Sequence, residues 1–151
     1  MRNYQNILEL VRNSDAKGAE LRRFAMEKLA ELPGYHWSGI YRLEGDTLVL
    51  DEYVGADTDH THIPVGRGVC GTAVAENKNQ VIADVNTLDN YLACSLTTKS
   101  EIVVLIRDGE KILGQIDIDG HEVGAFGHAD EQFLESLAAL LAERWAPNSP
   151  A

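Results

Sequence analysis

The sequence predicts an α+β domain: one antiparallel sheet with two helices ahead of it and one behind. Three observations carry this. Tyr4, Ile7, Leu8 and Val11 fall at helical spacing near the start, and Leu21, Phe24, Ala25, Leu29 and Leu32 repeat the pattern. Strand-like runs then come in pairs around the tight connections Glu44-Gly45-Asp46 and Asp108-Gly109, which is how hairpins read. Phe133, Leu137, Leu140 and Leu141 finally return to helical period. Helices at both ends of a set of strands bury the apolar face of one sheet.

Taken in order, residues 3–13 form the first helix. Ser14 is placed to cap the second, and Pro33-Gly34 ends it. Strands follow at 36–43 and 47–54, then a loop over 55–62 and a short stretch at Ile63-Pro64-Val65. The glycines of Gly66-Arg67-Gly68 and Gly71 bracket Cys70, with a short helix starting there and running to Glu76. Residues 80–83 make a short strand, and a polar loop from Asp84 to Tyr91 leads to Cys94. Strands at 101–106 and 111–119 form the second hairpin. The closing helix spans 129–145, with Asp130 and Glu131 in its first turn, where the helix dipole favours negative charge. With no repeat and no linker, residues 1–151 are expected to form one domain.

Composition narrows the function. A net charge of -11 argues against binding a phosphate backbone or an anionic membrane, both of which need Lys and Arg, so neither nucleic acid nor membrane is an expected partner. No apolar run is long enough to span a bilayer, and no apolar segment follows Arg2 to make a signal peptide, so a cytoplasmic location is expected. Two cysteines in such a chain form a poor disulfide scaffold. They read either as redox-active thiols or as small buried residues.

The chemistry concentrates between Gly66 and Asp119. Along 111–119, Ile112, Gly114, Ile116 and Ile118 occupy one face, and Gln115, Asp117 and Asp119 the other. Such a polar face either meets water or lines a pocket. A three-residue turn Asp108-Gly109-Glu110, or a bulge of the same effect, sets Glu101 opposite Asp117. Carboxylates facing each other destabilise a sheet, so their presence points to a cationic ligand such as an amino-acid ammonium, or to a raised carboxyl pKa suited to proton donation. Trp37, Gly39 and Tyr41 share a face on the first strand, and the glycine leaves a gap between two aromatics that suits a small apolar group or sulfur. Cys70, at a helix N-terminus, has backbone N–H groups to favour a thiolate, whereas Cys94 has only Lys99 nearby. His60 and His62, with Asp57 and Asp59, are a weak metal pattern, and no metal or cofactor is expected.

The ordered set Val65-Gly66-Arg67-Gly68-Val69-Cys70-Gly71-Thr72-Ala73, Asp84-Val85, Ala93-Cys94, Ser100-Glu101-Ile102-Val103 and Asp117-Ile118-Asp119 resembles the free methionine-(R)-sulfoxide reductases, which are single GAF domains. The likeness runs from about Trp37 through the last helix. It implies a central antiparallel sheet of about five to six strands, with the N-terminal helices and the C-terminal helix packed against it. It implies thiol-dependent reduction of free methionine-(R)-sulfoxide, with thioredoxin or another thiol as reductant, and it suggests a homodimer. Cys94 matches the thiol that attacks the sulfoxide and becomes a sulfenic acid. Glu101, Asp117 and Asp119 match the substrate carboxylates, and Trp37 and Tyr41 the aromatic wall around the methyl-sulfur end. His60 stands where the family's first cysteine, its common resolving thiol, is found, which leaves Cys70 or an external thiol to resolve the sulfenic acid. Ser95, Leu105, Gly120 and Gln115 are further departures from the family pattern. The alternative reading is a non-catalytic GAF domain that binds a small molecule such as an amino acid or its derivative; it needs the pocket but not Cys94.

Overall fold

The computed structural model describes residues 3–88 and 97–145. Helices α1 (Tyr4–Asn13) and α2 (Gly18–Leu29) precede strands β1 (Trp37–Glu44), β2 (Thr47–Val54) and β3 (His62–Pro64). Helix α3 (Gly68–Glu76), strand β4 (Gln80–Ile82) and a single 3-10 turn at Val85–Thr87 follow. Strands β5 (Ser100–Asp108) and β6 (Lys111–Gly120) and helix α4 (His128–Glu143) complete the chain. The six strands form one sheet in the order β3-β2-β1-β6-β5-β4, antiparallel at every pairing. This is the expected α+β architecture. No helix among the described residues is long and apolar enough to cross a membrane.

The two faces of the sheet bury different things. Ile40, Ile102, Val104, Ile106, Ile116 and Ile118 pack against α1, α2 and α4. Each such side chain, fully removed from water, contributes about 1.5–3 kcal/mol. The opposite face carries Trp37, Tyr41, Val103 and Leu105, covered in part by Val69, Cys70 and Ala73 of α3. Polar contacts fix how the helices sit. Asp130 is buried and accepts from Tyr4 Oη at 2.5 Å, Tyr35 Oη at 2.7 Å and the Gly127 N–H at 2.8 Å, so it caps α4 and also ties α1 and the α2–β1 connection to it. Its role is therefore larger than the dipole contact expected of it. Arg22 and Asp51, each 1% exposed, form an ion pair at 2.5 Å between α2 and β2.

Three local expectations are corrected. Ser14 does not cap α2: its Oγ accepts from the Ala16 N–H at 3.1 Å, and the helix starts only at Gly18, because the hydroxyl closes a local turn first. The β5–β6 turn has two residues, Gly109 and Glu110, because Asp108 pairs with Lys111. Ile112 leaves the face shared by Ile116 and Ile118 and packs on the α3 side, while Leu113 takes the place beside the α4 core. The cause is a bulge, seen as the shift from the pair Arg107–Ile112 to the pair Ile106–Gly114.

Candidate active site

That bulge sets the parity of everything beyond it. A two-residue turn without it would put Glu101 opposite Ile118 and turn its carboxyl toward the helices. With one extra residue in β6, Glu101 pairs with Asp119 and Val103 with Asp117. Glu101 and Asp117 thus share a face as expected, but the residue directly opposite Glu101 is Asp119, since the register exceeds that of a three-residue turn by one pleat. On the other side of β6, Trp37 pairs with Asp119, Gly39 with Asp117 and Tyr41 with Gln115. Three strands therefore bring Glu101, Asp117, Asp119, Trp37 and Tyr41 onto one surface.

This surface does not meet water. Glu101 is 3% exposed, Asp117 0% and Asp119 1%. Burial pushes the Glu101 carboxyl well above the usual carboxylate range, and the charges of Asp117 and Asp119 push it further. Burial likewise raises Asp117. Glu101 and the Cys70 thiol lie beside Asp117, and no donor outside this cluster reaches either of its oxygens among the described residues. A buried acid in this state either stays protonated or waits for a positive partner.

Helix α3 lays its first turn over these acids. Gly71 permits this, because a Cβ there would come within 2.6 Å of the Pro64 carbonyl oxygen. Cys70, the third residue of α3, is 5% exposed, and its Sγ donates to Glu101 Oε2 at 3.8 Å. Gln115 Nε2 donates to the Cys70 carbonyl at 3.0 Å and so ties α3 to β6. Gln115 lies on the polar face of β6 with Asp117 and Asp119, as its alternation with them predicts; its hold on α3 is what the sequence does not show. Cys94 and Ser95 lie outside the described residues.

The gap expected at Gly39 is filled. A Cβ on Gly39 would lie 2.5 Å from Trp37 Cζ3, because the indole folds down over its own strand. It stacks on Tyr53 at 5.6 Å between ring centres, and its Nε1 donates to the Ala56 carbonyl at 2.8 Å. The glycine thus receives the tryptophan itself. Tyr41 is fully buried, and its hydroxyl donates to the His60 carbonyl at 2.8 Å. A cavity of about 10 Å³ remains among Tyr41, His60, Ile63, Arg67, Cys70 and Glu101. That is about the volume of one water, so an amino acid enters only if side chains around it shift. His60 borders this cavity, which puts the position of the family's first cysteine beside Cys70. His62 is exposed on β3 and its ring contacts Thr61 Oγ1 at 3.1 Å.

The GAF domain family matches residues 20–145. The free methionine-R-sulfoxide reductase of Escherichia coli strain K12 is 45% identical over 115 residues, covering 76% of this chain and 67% of that protein. The Saccharomyces cerevisiae enzyme of the same name is 42% identical over 110 residues, covering 70% of this chain and 61% of its own length. Among solved structures, the reduced form of fRMsr of Staphylococcus aureus superposes with a TM-score of 0.89 at 33% identity, over 97% of both chains. The GAF fold, the buried acids beside a thiol and these likenesses lead to one assignment: the chain belongs to the free methionine-R-sulfoxide reductase family of GAF domains.

Proposed function

We propose that this chain reduces the R-sulfoxide of free methionine to methionine, with Cys94 as the nucleophile. The observation that carries the reading is the buried set Glu101, Asp117 and Asp119 beside the Cys70 thiol. Relatives bearing this activity in their names support it.

A free amino acid carries an ammonium group, and Asp117 and Asp119 supply the anionic wall that would receive it. Binding then repays the cost of burying those carboxyls. Glu101, held protonated by burial and by its acidic neighbours, supplies the proton that the sulfoxide oxygen needs as its bond to sulfur breaks. The Cys94 thiolate attacks the sulfoxide sulfur. Two electrons pass to that sulfur, the oxygen is transferred to Cys94 as a sulfenic acid, and methionine leaves. The Cys70 thiolate next attacks the Cys94 sulfur and expels the hydroxyl, which departs as water. An external dithiol, thioredoxin or another, reduces the resulting disulfide. Trp37 and Tyr41 form the apolar wall at the methyl-sulfur end. The chain acts as one domain and as a homodimer in the cytoplasm.

The test incubates the protein with each free methionine sulfoxide epimer and dithiothreitol, and measures methionine. The R epimer is expected to be consumed and the S epimer spared. Cys94→Ser should abolish the reaction. Cys70→Ser should still release about one methionine per chain without reductant, yet turn over slowly with thioredoxin. Methionine production that survives Cys94→Ser refutes the mechanism; binding without turnover leaves a small-molecule-binding GAF domain.

A further inference from the structure

We infer that Cys70 Sγ, one Glu101 oxygen and one Asp117 oxygen form a binding site for a thiophilic divalent cation of the zinc and cadmium class. These three atoms lie within 4.8 Å of one another, and the Cys70–Glu101 separation is 3.8 Å. Metal–sulfur bonds of about 2.3 Å and metal–oxygen bonds of about 2.1 Å place tetrahedral ligands roughly 3.4–3.6 Å apart, so the Cys70–Glu101 pair closes by about 0.2 Å and the other pairs by at most about 1.4 Å.

The ligands come from three separate elements, α3, β5 and β6, each held by backbone pairing or, for α3, by the Gln115 contact to the Cys70 carbonyl. A second observation points to the same ligand. The Asp117 oxygens are fully buried and face only the other two ligands, Glu101 and the Cys70 thiol; no donor outside this cluster reaches them among the described residues. A metal ion would satisfy them. The donor set selects the metal: a thiolate is a poor ligand for magnesium or calcium and a good one for zinc or cadmium.

On binding, the Cys70 thiol and the Glu101 carboxyl each give a proton to solvent as their bonds to the metal form, and no electrons move. The thiolate and two carboxylates carry three negative charges, of which the cation cancels two. This binding stands on the cluster's geometry. Its consequence rests on the function proposed above: the cation would occupy the ammonium's place and withdraw Cys70 from resolving Cys94, giving an inhibited state that a chelator reverses.

The experiment titrates cadmium chloride into the full-length, reduced, chelator-treated protein and follows the ultraviolet thiolate-to-cadmium charge-transfer band. One cadmium per chain is expected. Cys94→Ser should keep the band and its affinity. Cys70→Ser should lose it, and the near-isosteric Asp117→Asn should weaken binding at least tenfold. A band lost in Cys94→Ser, or an affinity unchanged in Asp117→Asn, overturns the site. Should Cys70→Ser fail to fold, those two variants decide the matter. Because the band reads binding directly, the site can stand even if the protein proves inactive on methionine sulfoxide.

Discussion

Replacing Glu101 by glutamine keeps the side chain's shape and removes its titratable proton, which fixes the consequence for stability. Glu101 is 3% exposed, and its carboxyl is raised first by burial and then by Asp117 and Asp119. Between the ordinary carboxylate value and the raised one, the folded chain keeps a proton on Glu101 that the unfolded chain has released. Over that window the unfolded state binds fewer protons, so stability falls as pH rises, by up to about 1.4 kcal/mol per pH unit for this one group. Below the ordinary value both states are protonated and the contribution is constant. Glutamine has no proton to lose, so the stability of Glu101→Gln relative to the parent should climb as pH is raised from about 4.5 toward neutrality. Urea unfolding of both proteins across that range measures the difference. Two stability curves that run parallel would mean that Glu101 is ionised in the folded chain, and its role as proton donor would fall with that result. Turnover gives a second reading: losing the acid should lower kcat by about 10²–10⁴-fold while the fold persists.

Two further substitutions probe the faces of the sheet. Gly39→Ala forces a methyl group against the Trp37 indole, 2.5 Å from Cζ3, and should destabilise by about 1–3 kcal/mol, with KM for the sulfoxide raised because the aromatic wall must move. An unchanged melting temperature and KM would contradict the packing described. Ser38 is fully buried, and its hydroxyl has no hydrogen-bond partner among the described residues. Ser38→Ala should therefore be neutral or raise stability by about 1 kcal/mol in chemical unfolding, whereas a clear loss would show that the hydroxyl is satisfied.

Much of this was legible because hydrophobic period is a strong signal. The spacing of Phe133, Leu137 and Leu141 placed α4, and strand-like runs on either side of the turn at Gly45 placed the β1–β2 hairpin, with β2 at the observed residues. The acid-bearing face of β6 was legible as well, since Gln115, Asp117 and Asp119 alternate. What escaped was whatever depends on a single residue of slip. Nothing local marks Leu113 as the extra residue of a bulge, yet it decides that Glu101 meets Asp119 and that Ile112 changes sides. Side-chain direction escaped too. The alternation of Trp37 and Tyr41 about Gly39 is equally consistent with an open slot and with an indole lying on the glycine. Ser14 failed as a cap because a serine can close an Asx-like turn as readily as it can start a helix.

The two tryptophans report on opposite sides of the sheet. Trp37 lies against Tyr53 on the cleft side, while Trp145 sits 4.4 Å from the Arg22 guanidinium, beyond the other face. Their fluorescence therefore separates naturally into a signal from the site and a signal from the packing of α2. With Trp145 replaced by phenylalanine, the remaining emission would follow the arrival of a sulfoxide at the aromatic wall, in a protein that needs no added dye.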